Sequence, residues 1–204
     1  MRLALICFSV LTSLSLSFGV QEKVPTLECR GKSLPITILP GPKMTSLALP
    51  LRFGGERPLP LPWVNGYPSK TPFRLVIRNR DEFSEFWKGL LSKVPPGQWA
   101  PSLPEIDFSK ETIIVAAMGE RPTSGYVIII DGACEVDGHV EVFVTSQEHG
   151  DSCGGVAPVV TAPADAVRIP QTDLPIVFRE FQVPCDYLQK QLQGRKQELK
   201  TWND

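Results

Sequence analysis

Two apolar runs constrain this chain most, Thr112 to Ala117 and Tyr126 to Ile130, with a polar turn from Gly119 to Gly125 between them. Both read as buried strands. A turn that interrupts such a run with Arg121, Thr123 and Ser124 sets hydrogen-bonding groups at the end of a rigid sheet. It is then either a plain connection or a recognition edge.

The neighbouring segments extend this reading. Phe73, Leu75 and Ile77 alternate with Arg74, Val76 and Arg78, as in a half-buried strand. Asn79 with Glu82 three residues on is a capping box, and Phe83, Phe86, Trp87, Leu90 and Leu91 then recur on one helical face. Pro95-Pro96-Gly97 ends that helix. After the second apolar run, Asp131-Gly132 predicts a strand end. Val140, Val142 and Val144 alternate with Glu141, Phe143 and Thr145 after Asp137-Gly138, so the pair reads as a long-looped antiparallel hairpin. Shorter strands are expected at Val159 to Thr161, Ala166 to Ile169 and Pro175 to Phe178, and a short C-terminal helix between Asp186 and Lys200. Strands outnumber helices and no βαβ alternation occurs. The expected fold is mainly β (α+β), an antiparallel β-sandwich or partly open barrel with one packed helix before the core strands.

Upstream, Met1-Arg2, the apolar stretch Leu3 to Leu16 and Ser17-Phe18-Gly19 read as a signal peptide ending at Gly19. An uncleaved anchor is the alternative, since the stretch is near the lower spanning limit of about 17 residues. Cleavage predicts an extracytoplasmic protein, periplasmic, at the cell surface or secreted. Residues 20–72 form a proline-rich extended arm, with nine prolines between Leu34 and Pro72, that lies against a globular domain over 73–185; a tail over 186–204 follows. The first 19 residues carry one of the 21 basic side chains and none of the 22 acidic ones, so the mature chain is slightly acidic and nucleic acid is excluded as a natural partner. Four cysteines follow the signal segment: Cys29, Cys134, Cys153 and Cys185. An even number favours disulfides in an oxidising compartment, with three pairings open. One of them bridges Cys134 to Cys153 locally and ties Cys29 to Cys185.

Functional groups concentrate in Glu148-His149-Gly150-Asp151-Ser152-Cys153-Gly154-Gly155. A metal would use His149, Asp151 and Cys153, but no paired ligand spacing supports one. A cysteine nucleophile would need His139 or His149 and a free thiol, which a disulfide removes. No nucleophile elbow, zinc-protease helix or phosphate loop is present. The reading is therefore non-catalytic, with no cofactor and no metal. The candidate contacts to a protein partner are Arg121, Thr123, Ser124, Tyr126, His149 and Asp151. Arg121 and Tyr126 lead, because such side chains combine apolar area with directional hydrogen bonds. Gly125 is given a structural role, a positive φ before the strand.

Two resemblances bear on the partner. From Asp107 to Phe178 the chain resembles the C-terminal domain of the protease complex subunit (PrcB-like) family. The matching elements are Asp107-Phe108, Gly119 to Tyr126, Cys153 in its glycine loop, Val160-Thr161-Ala162-Pro163 and Val167-Arg168-Ile169-Pro170. The family's Thr-Gly-Gly-Tyr is Thr123-Ser124-Gly125-Tyr126 here. The resemblance implies an exported accessory protein, in the founding case a subunit of a surface protease complex. A weaker likeness is to chagasin-like inhibitors of papain-type proteases. Pro122 to Tyr126 would be their first loop, Gly150 to Gly155 their second, and Arg179-Glu180-Phe181 a poor version of the third. Inhibition requires all three to meet at one end of the sandwich.

Overall fold

The computed structural model describes residues 28–39, 47–50, 56–59, 69–92, 103–149 and 157–184. The signal segment, Asp151, Cys153, Cys185 and the C-terminal tail lie outside the described residues. In chain order the elements are β1 (Lys32–Leu34), β2 (Thr37–Ile38), β3 (Leu47–Pro50), β4 (Glu56–Leu59), β5 (Phe73–Ile77), α1 (Arg80–Leu91), β6 (Glu111–Ala117), β7 (Val127–Val136), β8 (His139–Gln147), β9 (Ala164–Pro170) and β10 (Ile176–Val183). They make two four-stranded sheets, β1-β7-β8-β10 and β2-β9-β6-β5, and the two-stranded β3-β4. All pairings are antiparallel except β8 with β10. This is the expected sandwich with a helix, and neither sheet closes into a barrel.

The sheet containing β6 is the middle layer. On one face Ile113, Val115 and Ala117 join Phe83, Phe86, Trp87 and Leu90 of α1. On the other, Ile114 and Ala116 join Ile128, Ile130, Val140, Val142 and Val144 of the opposite sheet. A strand covered on both faces needs apolar residues at every position, which is why Thr112 to Ala117 does not alternate. On β9 the helix side carries the small Ala164 and Ala166, which leaves room for the helix's aromatic rings. The helix starts where its cap dictates: the Glu82 N–H donates to Asn79 Oδ1 at 2.9 Å.

The parallel pair follows from the layering. β8 passes to the other sheet to become β9, runs back, and crosses again to become β10. Two reversals restore the original direction.

The β7–β8 hairpin corrects the expected long loop. β7 continues through Asp131-Gly132 to Val136, and the turn is only Asp137-Gly138, with φ of 45° and 80°. Two positive φ values fit the tight turn whose twist matches a hairpin. Asp131 sits in a bulge, where the register shifts between Ile130 and Gly132. There the Ile130 N–H donates to the fully buried Asp165 of β9 at 2.7 Å, and Thr145 Oγ1 donates to Asp131 at 2.7 Å. A turn-forming dipeptide is thus spent on a bulge that buried carboxylates satisfy.

The proline-rich arm contributes edge strands to both sheets. Leu34 enters the core between the sheets and Leu39 the core beneath α1. The local bridge from Cys134 to Cys153 is overturned: Cys134 bonds Cys29, with Cα atoms 5.7 Å apart. The cause is the pairing of β1 with β7, which sets Ser33 opposite Cys134. Gly31 allows the approach, since a Cβ there would lie 2.0 Å from the Glu135 carbonyl oxygen.

On the opposite flank, Arg74 of β5 bonds Glu180 of β10 at 2.9 Å. Arg78 donates to the Thr172 and Leu174 carbonyls at 3.1 and 3.0 Å. These lace together the two outer strands. Before β6, Lys110 and Ser109 hydrogen-bond Asp107 and draw its pKa down to about 2.

Candidate functional site

Both crossings between β6 and β7 and between β8 and β9 fall at one end of the sandwich. Ala117, the last residue of β6, pairs with Ala164, the first of β9; Val127, the first of β7, pairs with Gln147, the last of β8. The loop 118–126 therefore meets the segment 157–163. Pro122, Pro158 and Pro163 lack amide protons, so no regular ladder can form between them. Separate fastenings take its place.

The Met118 N–H donates to the Pro163 carbonyl at 2.8 Å. Arg121 and Thr161 exchange both backbone bonds, at 2.7 and 2.9 Å. The Thr161 hydroxyl donates to the Thr123 carbonyl at 2.8 Å. The Ser124 N–H donates to the Ala157 carbonyl, and the Ala157 N–H returns a bond to Ser124 Oγ, both at 3.1 Å. From below, Lys70 and Thr71 press on Gly119 (φ 74°), where a Cβ would fall 2.7 Å from their backbone. The positive φ predicted at Gly125 is thus found at Gly119; Gly125 instead donates its N–H to Thr123 Oγ1 at 3.4 Å.

The structure brings together four of the six candidate contact residues and divides their roles. Thr123 and Ser124 spend their polar groups inside the edge, as fasteners. Arg121 and Tyr126 stack, the guanidinium carbon 5.7 Å from the ring centroid. Tyr126 is half-buried against the core between the sheets, at the start of its strand. The Arg121 side chain also donates from Nη1 to the Glu120 carbonyl at 3.3 Å, while its Nε is buried without a hydrogen-bond partner. His149 is half-buried beyond β8, with Nδ1 buried and unpartnered.

Sequence reasoning missed the most exposed apolar residues of this end. Val159 and Val160 keep 51% and 66% of their surface accessible. They were expected in a short strand, but their segment makes only the single bridge at Thr161. Beside them Pro122, Ala157 and Pro158 are also exposed. The signal available was the flanking proline, which disfavours a paired strand.

The other constellations do not assemble among the described residues. His139 is the first residue of β8 and His149 lies beyond its last, so the strand's length, about 27 Å at about 3.4 Å per residue, stands between them; His139 sits 3.6 Å from Glu141. The Arg179 guanidinium and, to a smaller degree, His139 hold the Glu141 carboxyl below its ordinary pKa, against burial, which pushes it up. No group of three or more metal-ligating side chains occurs among the described residues. Arg179-Glu180-Phe181, the third inhibitor loop of the chagasin-like reading, lies within β10. There Arg179 bonds Glu141 at 2.8 Å and Phe181 stacks on Phe143.

Residues 112–170 match the family model described as PrcB C-terminal. The match runs from β6 through β9, so it contains both crossings and the whole described edge. It bears out the first resemblance; the chagasin-like one has no such support. No curated protein and no solved structure matches the chain.

Proposed function

Proceeding from a PrcB-type C-terminal segment that spans both crossings, we propose that this chain is an exported, non-catalytic accessory protein that associates with a protease complex outside the cytoplasm and stabilises it. The observation that carries the reading is the edge at the crossing end. Its backbone is fastened from both sides, and it presents Val159, Val160, Pro122 and Pro158 to solvent next to the Arg121–Tyr126 stack. A preorganised apolar patch with an aromatic and an arginine beside it loses little freedom on binding and supplies the residue types that dominate interfaces. The signal-like first 19 residues and the Cys29–Cys134 bond agree with export.

Affinity capture tests this. The chain from Val20 onward, as wild type and as a Val159→Ser, Val160→Ser variant, is exposed to the native envelope or secreted fraction. Wild type is expected to retain a peptidase that the folded variant loses. Equal retention by both, or none by either at near-native concentration, removes the edge from the function. A chain found to remain in the cytoplasm removes the export.

A further inference from the structure

Among the described residues, the charge of Arg121 is not answered by a carboxylate. Arg74, Arg168 and Arg179 pair with Glu180, Glu111 and Glu141, and the Arg78 side chain donates to backbone carbonyls. Its neutral contacts are the Glu120 carbonyl and the face of Tyr126. The Nε–H is buried with no acceptor at all. A partly desolvated guanidinium with no counter-charge is costly, and a carboxylate placed on its Nη edge offsets that cost. Its backbone is pinned to Thr161 by the bridge. Apolar surface flanks it on two sides, Pro122 next in sequence and Val159-Val160 across the bridge.

We propose that Arg121 is an anion receptor, and that the partner docks by placing an Asp or Glu side chain on it, with apolar residues on either side covering Pro122 and Val159-Val160. Flanking apolar surface on both sides suits a residue within a chain rather than a terminal carboxylate. This rests on the edge being the docking surface, and it adds the chemistry of what docks. Glu120, next to Arg121 in sequence, and Glu148 have interactions of their own.

Two measurements test it on the intact chain. The first follows the Arg121 Nε–H resonance of the isotope-labelled protein during titration with two blocked peptides, Ser-Val-Asp-Val-Ser and its Asn counterpart. The Asp peptide is expected to shift that resonance saturably, an effect lost in high salt, and the Asn peptide to leave it in place. Equal shifts, or none, overturn the proposal. The second repeats the capture with Arg121→Lys and Arg121→Gln, whose backbone bridge to Thr161 is unchanged. Retention is expected to fall in the order wild type, Lys, Gln, with Gln at least about tenfold weaker. If Gln captures as well as wild type while the valine variant fails, the edge stands and the anion receptor falls. If the valine variant also captures normally, the docking edge itself is wrong.

Discussion

Gly119 and Gly125 flank the same turn, yet only one needs to be glycine for its backbone. Gly119 has a φ of 74° and touches the backbone of residues 70 and 71. Nothing local in the sequence distinguishes them, because the pressure on Gly119 comes from a segment almost fifty residues earlier. Replacing Gly119 by Ala adds a left-handed non-glycine residue and a backbone clash, and is expected to cost about 1–3 kcal/mol. Chemical denaturation reads that loss; an Ala variant as stable as wild type would show that the contact with residues 70 and 71 is not what shapes the turn. The same non-locality explains Thr123 and Ser124. Their side chains suit recognition by type, but Ser124 Oγ accepts from the Ala157 N–H and the Thr123 carbonyl accepts from the Thr161 hydroxyl, so both serve as fasteners.

At the level of elements, local chemistry was readable wherever it was decisive. Asn79 capped the helix where expected, and the uninterrupted run of β6 marked a strand covered on both faces. Asp131-Gly132 misled because the same dipeptide that favours a turn also tolerates a bulge, and the choice is made across the sandwich by Asp165. That choice can be measured. Asp165→Ala leaves the Ile130 N–H buried without an acceptor and is expected to lower stability by about 1–3 kcal/mol. Asp165→Asn keeps a carbonyl oxygen of the same reach and is expected to lose less. Equal losses in urea unfolding would mean that volume, not the hydrogen bond to the bulge, is what Asp165 supplies. Val159 and Val160 lie on the same scale: β-branched residues favour a strand, but the prolines around them leave no ladder for them to join.

Over the whole molecule, the arm is the part that sequence patterning described least. Its prolines predicted extended chain against the domain, but not that the three residues of β1 and two of β2 would serve one sheet each. Strands so short hold weakly by themselves, and the Cys29–Cys134 bond closes a span of 105 residues over them. Disulfides stabilise typically by about 2–4 kcal/mol, more for longer spans. A Cys29→Ser, Cys134→Ser variant is expected to melt lower by a corresponding amount, with reduction of the wild type giving a similar shift. An unchanged melting temperature in both would assign the arm's attachment to packing of Leu34 and Leu39 alone.

The strand order β1-β7-β8-β10 carries a consequence for the order of events during synthesis. Its centre is a tight hairpin that can form from its own residues, but its two flanks come from near the beginning and near the end of the described chain. Such distant partners make folding slow relative to local closure. Until Val183 has emerged, one side of β8 stays open and the sheet cannot be completed. A growing chain therefore lacks the outer strand of this sheet until its last described strand is available, and the sheet is completed only then.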